Sequence, residues 1–183
     1  RIEKFVSSKG RQVIGWDEIL EGGLAPGAAV MSWRGEEGGV EAARQHHSVV
    51  MVPSQYLYFK SAYQHDPSTV SLQKTYEYNP VPGHLGDNEK QYIKGVQGCI
   101  WTEPIHTDSL VMKHLLPRLS ALAEIAWLDD SGKDYRRFVN TLCTQFSRYD
   151  VMGWSYYIHS PSGLDNDIFY GDNYLVTLYS EIP

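Results

Sequence analysis

Asp17 and Glu18 stand side by side directly after an indole, in the stretch Gly15-Trp16-Asp17-Glu18-Ile19. Sugar-cleaving enzymes commonly work with two carboxyl groups, one giving a proton and the other acting as base or nucleophile. Trp33, Tyr56, Tyr58 and Trp101 supply rings, and Glu103 a third acid. Indole and phenol faces suit carbohydrate rings, but they also fill cores and interfaces. With 13 Tyr and 5 Trp the chain has an aromatic share of 13%, so both uses are open.

Other chemistries find less support. Cys99 and Cys143 are the only cysteines and share no close spacing, which reads as two reduced, partly buried thiols and not as a metal or disulfide framework. His46, His47, His65, His84, His106 and His114 fit no zinc pattern, and His46-His47 sits at a helix end, where the macrodipole favours it. Glu36-Glu37 opens a helix, which the macrodipole again explains. The formal net charge of −6 argues against a nucleic-acid partner, which needs a basic face. No apolar run has the length to cross a bilayer.

These residues need a frame. Four short apolar runs read as buried strands: Gln12–Trp16, Ala28–Trp33, Val49–Val52 and Val96–Trp101. Residues 1–9 read as the end of a helix stopped by Gly10, and 36–46 as a helix with acids first and bases last. The polar stretch 60–90 reads as a long functional loop. A helix is expected over 109–127, kinked at Pro117, with Arg118 and Glu124 in structural ion pairs. Tyr135, Phe138, Leu142, Phe146 and Tyr149 fall at helical steps and define one apolar face. The tail from Ile158 is poorly patterned until Tyr174–Tyr179, a possible edge strand. Tyr156, Tyr157, Tyr170, Tyr174 and Tyr179 are expected to pack against the tail or a following module.

Buried strands separated by helices imply a parallel sheet with helical crossovers. A doubly wound sheet would carry a glycine fingerprint after its first strand, and none is present. A (β/α)8 barrel places its site at the carboxyl ends of its strands. Those ends carry Trp16 with Asp17 and Glu18, then Trp33, then Tyr56 and Tyr58, then Trp101 with Glu103. The expected fold is α/β: about strands 5–8, the second half of a TIM barrel.

GWDEI, VMSWRG, YLYF, GVQGCIWTE and LPRLSALAEIAW together resemble the second half of the catalytic barrel of family 20 glycoside hydrolases, the β-N-acetylhexosaminidases. The resemblance covers about residues 1–157, leaving 158–183 as a tail or the start of a further module. It implies removal of terminal β-linked N-acetylhexosamine with retention. The substrate's own acetamido oxygen is the nucleophile, a known exception to the two-carboxylate scheme. By resemblance, Trp16, Trp33 and Trp101 form the cage and stacking floor. Tyr58 donates to the acetamido oxygen, and Glu103 accepts from ring hydroxyls. No metal and no cofactor is implied; the partner is a β-N-acetylhexosaminide, in a periplasmic or extracellular setting.

Two departures follow. The family's Asp-Glu pair lies in a His-x-Gly-Gly-Asp-Glu motif on the fourth barrel strand, and Gly-Gly-Asp-Glu occurs nowhere in these residues. GWDEI resembles the fifth strand, so Asp17 and Glu18 are expected to make turn or cap contacts and the acid/base pair to lie outside this chain. The family's Tyr-x-Asp is here Tyr58-Phe59-Lys60, and lysine donates but cannot accept. A half-barrel has open strand edges and an exposed apolar face, so association with the missing half or a second copy is expected. The competing expectation is a non-catalytic carbohydrate-binding or structural remnant.

Overall fold

The computed structural model describes residues 1–60, 70–103, 105–158 and 179–180. In chain order, α1 (Ile2–Ser8) leads to β1 (Ile14–Trp16), a 3-10 turn (Asp17–Gly22) and β2 (Ala29–Ser32). Next come α2 (Glu37–Arg44), β3 (Val49–Met51), α3 (Ser54–Leu57), α4 (Leu72–Glu77), α5 (Asp87–Lys90) and β4 (Ile93–Val96). The final helices are α6 (Asp108–Leu115), α7 (Arg118–Trp127) and α8 (Tyr135–Met152).

The strands form one parallel sheet in the order β1-β2-β3-β4. Each strand lies beside the next in sequence, as in a segment of a parallel barrel. The β1–β2 connection carries a 3-10 turn and a Gly- and Pro-bearing loop, with no α-helix. The strands are also not fully buried. Val30, Ser32, Val49 and Met51 are sealed, whereas β1 and β4 contain no buried residue. The reason is geometric: alternate side chains point to opposite faces, helices cover one face, and β1 and β4 are the outer strands among the described residues.

On the covered face Val30, Val49 and Met51 pack with Val40, Leu57, Leu122 and Ile125. Gly39 lets α2 lie close, since a Cβ there would stand 2.5 Å from Met51 Sδ and 3.1 Å from Val49 Cγ1. Trp16, Met31 and Val50 face the other way, around Val52, Tyr58 and Cys99.

Several expected boundaries move. The fourth strand begins at Ile93, three residues early, because Lys94 breaks the apolar run that marks it in sequence; Trp101 lies beyond the ladder. Helix 109–127 is two helices, broken and not merely kinked, since Pro117 has no N–H to continue the ladder. Part of the 60–90 loop is helical: Ser71 Oγ accepts from Lys74 N and caps α4, which buries Leu72, Thr75 and Tyr76. Residues 61–69, with His65, lie outside the described residues.

Tyr76 ties this segment to the helices. Its ring stacks on Phe138 at 4.7 Å, and its hydroxyl donates to Glu124 and accepts from Asp134 N, both at 2.9 Å. Glu124 also pairs with Arg137 at 3.4 Å. Arg118 makes no ion pair among the described residues. Its guanidinium donates to the carbonyls of His114 and Val70 and lies over Phe59, and burial holds its pKa down to about 10. The face of α8 is as spaced in sequence, with Phe138, Leu142, Phe146 and Tyr149 buried, and Gly153 in the left-handed region ends the helix. Tyr156 stacks on Phe146 at 4.6 Å. Tyr170 and residues 174–178 lie outside the described residues. Cys143 is exposed, not partly buried, because it sits on the outer side of α8.

Candidate functional site

Every strand exit on the uncovered face presents a ring. Trp16 ends β1, and the register aligns Trp16 with Met31 on β2 and Met31 with Val50 on β3. Trp33 follows β2 directly. Tyr58 lies past α3, joined to the β4 exit by a parallel bridge to Cys99; Phe59 N donates to Cys99 O at 2.9 Å, and Cys99 N to Leu57 O at 2.8 Å. Trp101 comes two residues later.

Trp33 and Tyr58 stack with centroids 6.1 Å apart and planes 19° from parallel. Trp101 meets Tyr58 at the same separation, tilted by 45°. Trp16 and Trp33 both pack on the Val52, Tyr58 and Cys99 cluster. Tyr58 is buried while Trp101 is 46% exposed, so the bowl has a closed floor and an open rim. Glu103 lies in an exposed turn just after Trp101 and has no hydrogen bond or ion pair among the described residues. Lys60, also exposed, folds back so that its ammonium lies 5.7 Å from the centroid of the Tyr58 ring.

Asp17 and Glu18 are committed elsewhere. Asp17, 2% exposed, accepts from Trp33 N and Arg34 N through Oδ2, each at 3.2 Å, and from Arg34 Nε through Oδ1 at 2.8 Å. Arg34 also reaches Glu21 at 3.0 Å. Glu18 Oε1 accepts from Trp33 Nε1 at 3.0 Å. Neither acid caps its own 3-10 turn; both reach across to the exit of the next strand. A carboxylate that already holds three N–H groups is badly placed to deliver a proton. Arg34 and Ser32 are site-supporting residues that sequence reasoning passed over. Ser32 Oγ donates to Gly35 O at 2.7 Å and accepts from Gly39 N at 2.9 Å, pinning the loop behind Trp33. The register of β1 against β2 brings Arg34 to Asp17 across 17 positions, so nothing local in the sequence marks that pair.

The bowl suits one kind of work. Burial, then the nearby Cys99, push the Tyr58 phenol up from its ordinary value, and the charges of Asp17 and Glu18 add to this, while a hydrogen bond with Trp101 pulls it partly back. The phenol therefore stays an O–H donor across the neutral range. Burial likewise raises the Cys99 thiol, against a pull down from Gln97, which favours the protonated thiol over the thiolate. The result is a cluster of rings in which Trp33 and Trp101 flank the buried Tyr58 phenol. No group of three or more metal-ligating side chains occurs among the described residues, and none of the described helices is long and apolar enough to cross a membrane.

Comparison with known proteins agrees with this frame. The model of the glycosyl hydrolase family 20 catalytic domain matches residues 1–130. A beta-hexosaminidase of Porphyromonas gingivalis is 37% identical over 192 residues, covering 99% of this chain and 25% of that protein. A beta-N-acetylhexosaminidase of Cellulomonas fimi is 28% identical, covering 83% of this chain and 32% of its own length. Among solved structures, an exo beta-N-acetylglucosaminidase from Vibrio harveyi in complex with N-acetylglucosamine superposes with a TM-score of 0.77 at 27% identity, over 84% of this chain and 26% of that one. The chain thus spans 25% and 32% of the lengths of these two curated relatives.

Proposed function

The chain belongs to glycosyl hydrolase family 20, and from that premise we propose that it supplies the acetamido-holding half of a β-N-acetylhexosaminidase site. The fold is a partial (β/α)8 barrel, four consecutive parallel strands with their helices. Residues 1–157 are assigned to it, and 158–183 to a tail or further module.

In the proposed reaction the substrate's acetamido oxygen attacks the anomeric carbon as the glycosidic oxygen takes a proton and leaves. Water then opens the oxazolinium intermediate, so configuration is retained. Two needs fall on this chain. The acetamido group must be held in one pose, since a nucleophile already at near-attack distance removes much of the entropic barrier. Trp16, Trp33 and Trp101 wall that pose. The acetamido oxygen must also be oriented and its developing charge balanced, which the Tyr58 phenol does by donating to it. Glu103 accepts from hydroxyls of the same sugar. The general acid and its partner Asp come from sequence outside these 183 residues.

One observation carries this assignment: rings from widely separated strand exits meet at Tyr58, each pair 6.1 Å apart. The competing assignment, a non-catalytic carbohydrate-binding remnant, draws on Lys60 and on the absence of Gly-Gly-Asp-Glu. The two separate on an assay of the full-length gene product with an aryl N-acetyl-β-glucosaminide. Release of the aryl group with retained configuration is expected. A folded product that binds N-acetylglucosamine without turnover establishes the remnant instead.

A further inference from the structure

Glu18 is exposed, yet the one side-chain hydrogen bond it makes among the described residues ends on the ring that walls the bowl. The backbone behind that ring is fixed without it. Asp17 takes the N–H groups of Trp33 and Arg34, and Trp33 O accepts from Ser54 N at 2.9 Å. A fixed backbone still leaves an indole two side-chain rotations, the second of them broad. Stacking restrains the ring loosely, because offset faces slide over one another at little cost. A hydrogen bond from Nε1 selects one orientation.

We propose that Glu18 is a positioning residue, holding the Trp33 indole as a preformed wall of the acetamido cage before substrate arrives. This role rests on the assignment of the bowl as an N-acetyl site. Asp17 fixes where the Trp33 peptide runs, and Glu18 fixes how its ring turns. Adjacent acids on one 3-10 turn thus divide the work between backbone and side chain. A wall held in place beforehand spares the substrate the cost of ordering it. The same charge helps keep Tyr58 protonated, as noted for its phenol.

The test is a double-mutant cycle in the full-length gene product, read as kcat/KM on the aryl N-acetyl-β-glucosaminide. Glu18→Ala lowers it about fivefold, the effect of one partly exposed hydrogen bond to a charged group. Glu18→Gln keeps an acceptor oxygen and recovers most of that loss. In a Trp33→Phe background, which has no indole N–H, Glu18→Ala has no further effect. Equal losses from Glu18→Ala in both backgrounds, or none in the parent, overturn the positioning role while leaving the cage intact. Parent-like rates in both Trp33→Phe and Tyr58→Phe overturn the cage, and the positioning role with it.

Discussion

Tyr58 is where three strand exits meet, so the cage assignment is most exposed to test there. Removing its hydroxyl leaves stacking on Trp33 and Trp101 in place and deletes only the donor. Tyr58→Phe and Trp101→Ala in the full-length product are each expected to lower kcat/KM by ~10²-fold, the loss of one good transition-state contact; near-parental rates in both would refute the assignment. Tyr78 offers a contrasting case. Its ring is buried and stacks on Tyr56 at 4.8 Å, but its hydroxyl has no partner among the described residues. Burial there pushes the phenol far up. Since an unpaired buried hydroxyl carries a desolvation cost, Tyr78→Phe should leave stability unchanged or raise it by up to ~1 kcal/mol. A clear fall in Tm would show that the hydroxyl is satisfied after all.

Elements decide whether the rings reach their places, and α2 is the most constrained of them. Its first turn lies against Ser32, Met51 and Asp17 because Gly38 and Gly39 have no side chains. Gly39→Ala forces a methyl against Met51 and Val49, and overpacking of that kind costs about 1–3 kcal/mol; chemical denaturation would measure it. The same change displaces Ser32, which braces the loop behind Trp33. On the far side, Tyr76 makes α4 part of the core, although the sequence around it reads as loop. Its neighbours Lys74, Glu77 and Asn79 are polar, and α4 is only six residues long, too short to show a helical period. Such a helix gains its stability from packing, not from propensity. By contrast, α8 has 18 residues, long enough for the steps between Tyr135 and Tyr149 to mark its buried face.

At the scale of the molecule, β1 and β4 each have an outer edge with no strand partner among the described residues. Ile14 on β1 is 52% exposed, and β4 lines a cavity of about 510 Å³ together with Trp127 and Leu128. Trp127 is itself 89% exposed. Unpaired strand edges beside apolar surface are templates for association. The 183-residue chain expressed by itself is therefore expected to form dimers or larger assemblies, or to bind an added first half-barrel. A monodisperse monomer with a cooperative melt, by light scattering and calorimetry, would contradict this.

What the sequence alone determined was the class of fold and that Trp16 and Trp33 stand at strand ends; Tyr58 and Trp101 lie further out, past α3 and beyond the β4 ladder. The fold class and those two strand ends depend on local pattern: apolar runs of strand length, turn residues between them, and aromatic residues just after. The family resemblance, carried by five short segments, depends on the same local strings. What only the tertiary structure decided was pairing. Asp17 with Trp33 and Arg34, Glu18 with the indole, and Tyr76 with Glu124 are joined across 16, 17, 15 and 48 positions. Those distances in sequence are closed by strand register and helix packing, which no short window contains. An acid beside an indole looks like catalysis until the neighbouring strand shows which N–H groups it holds.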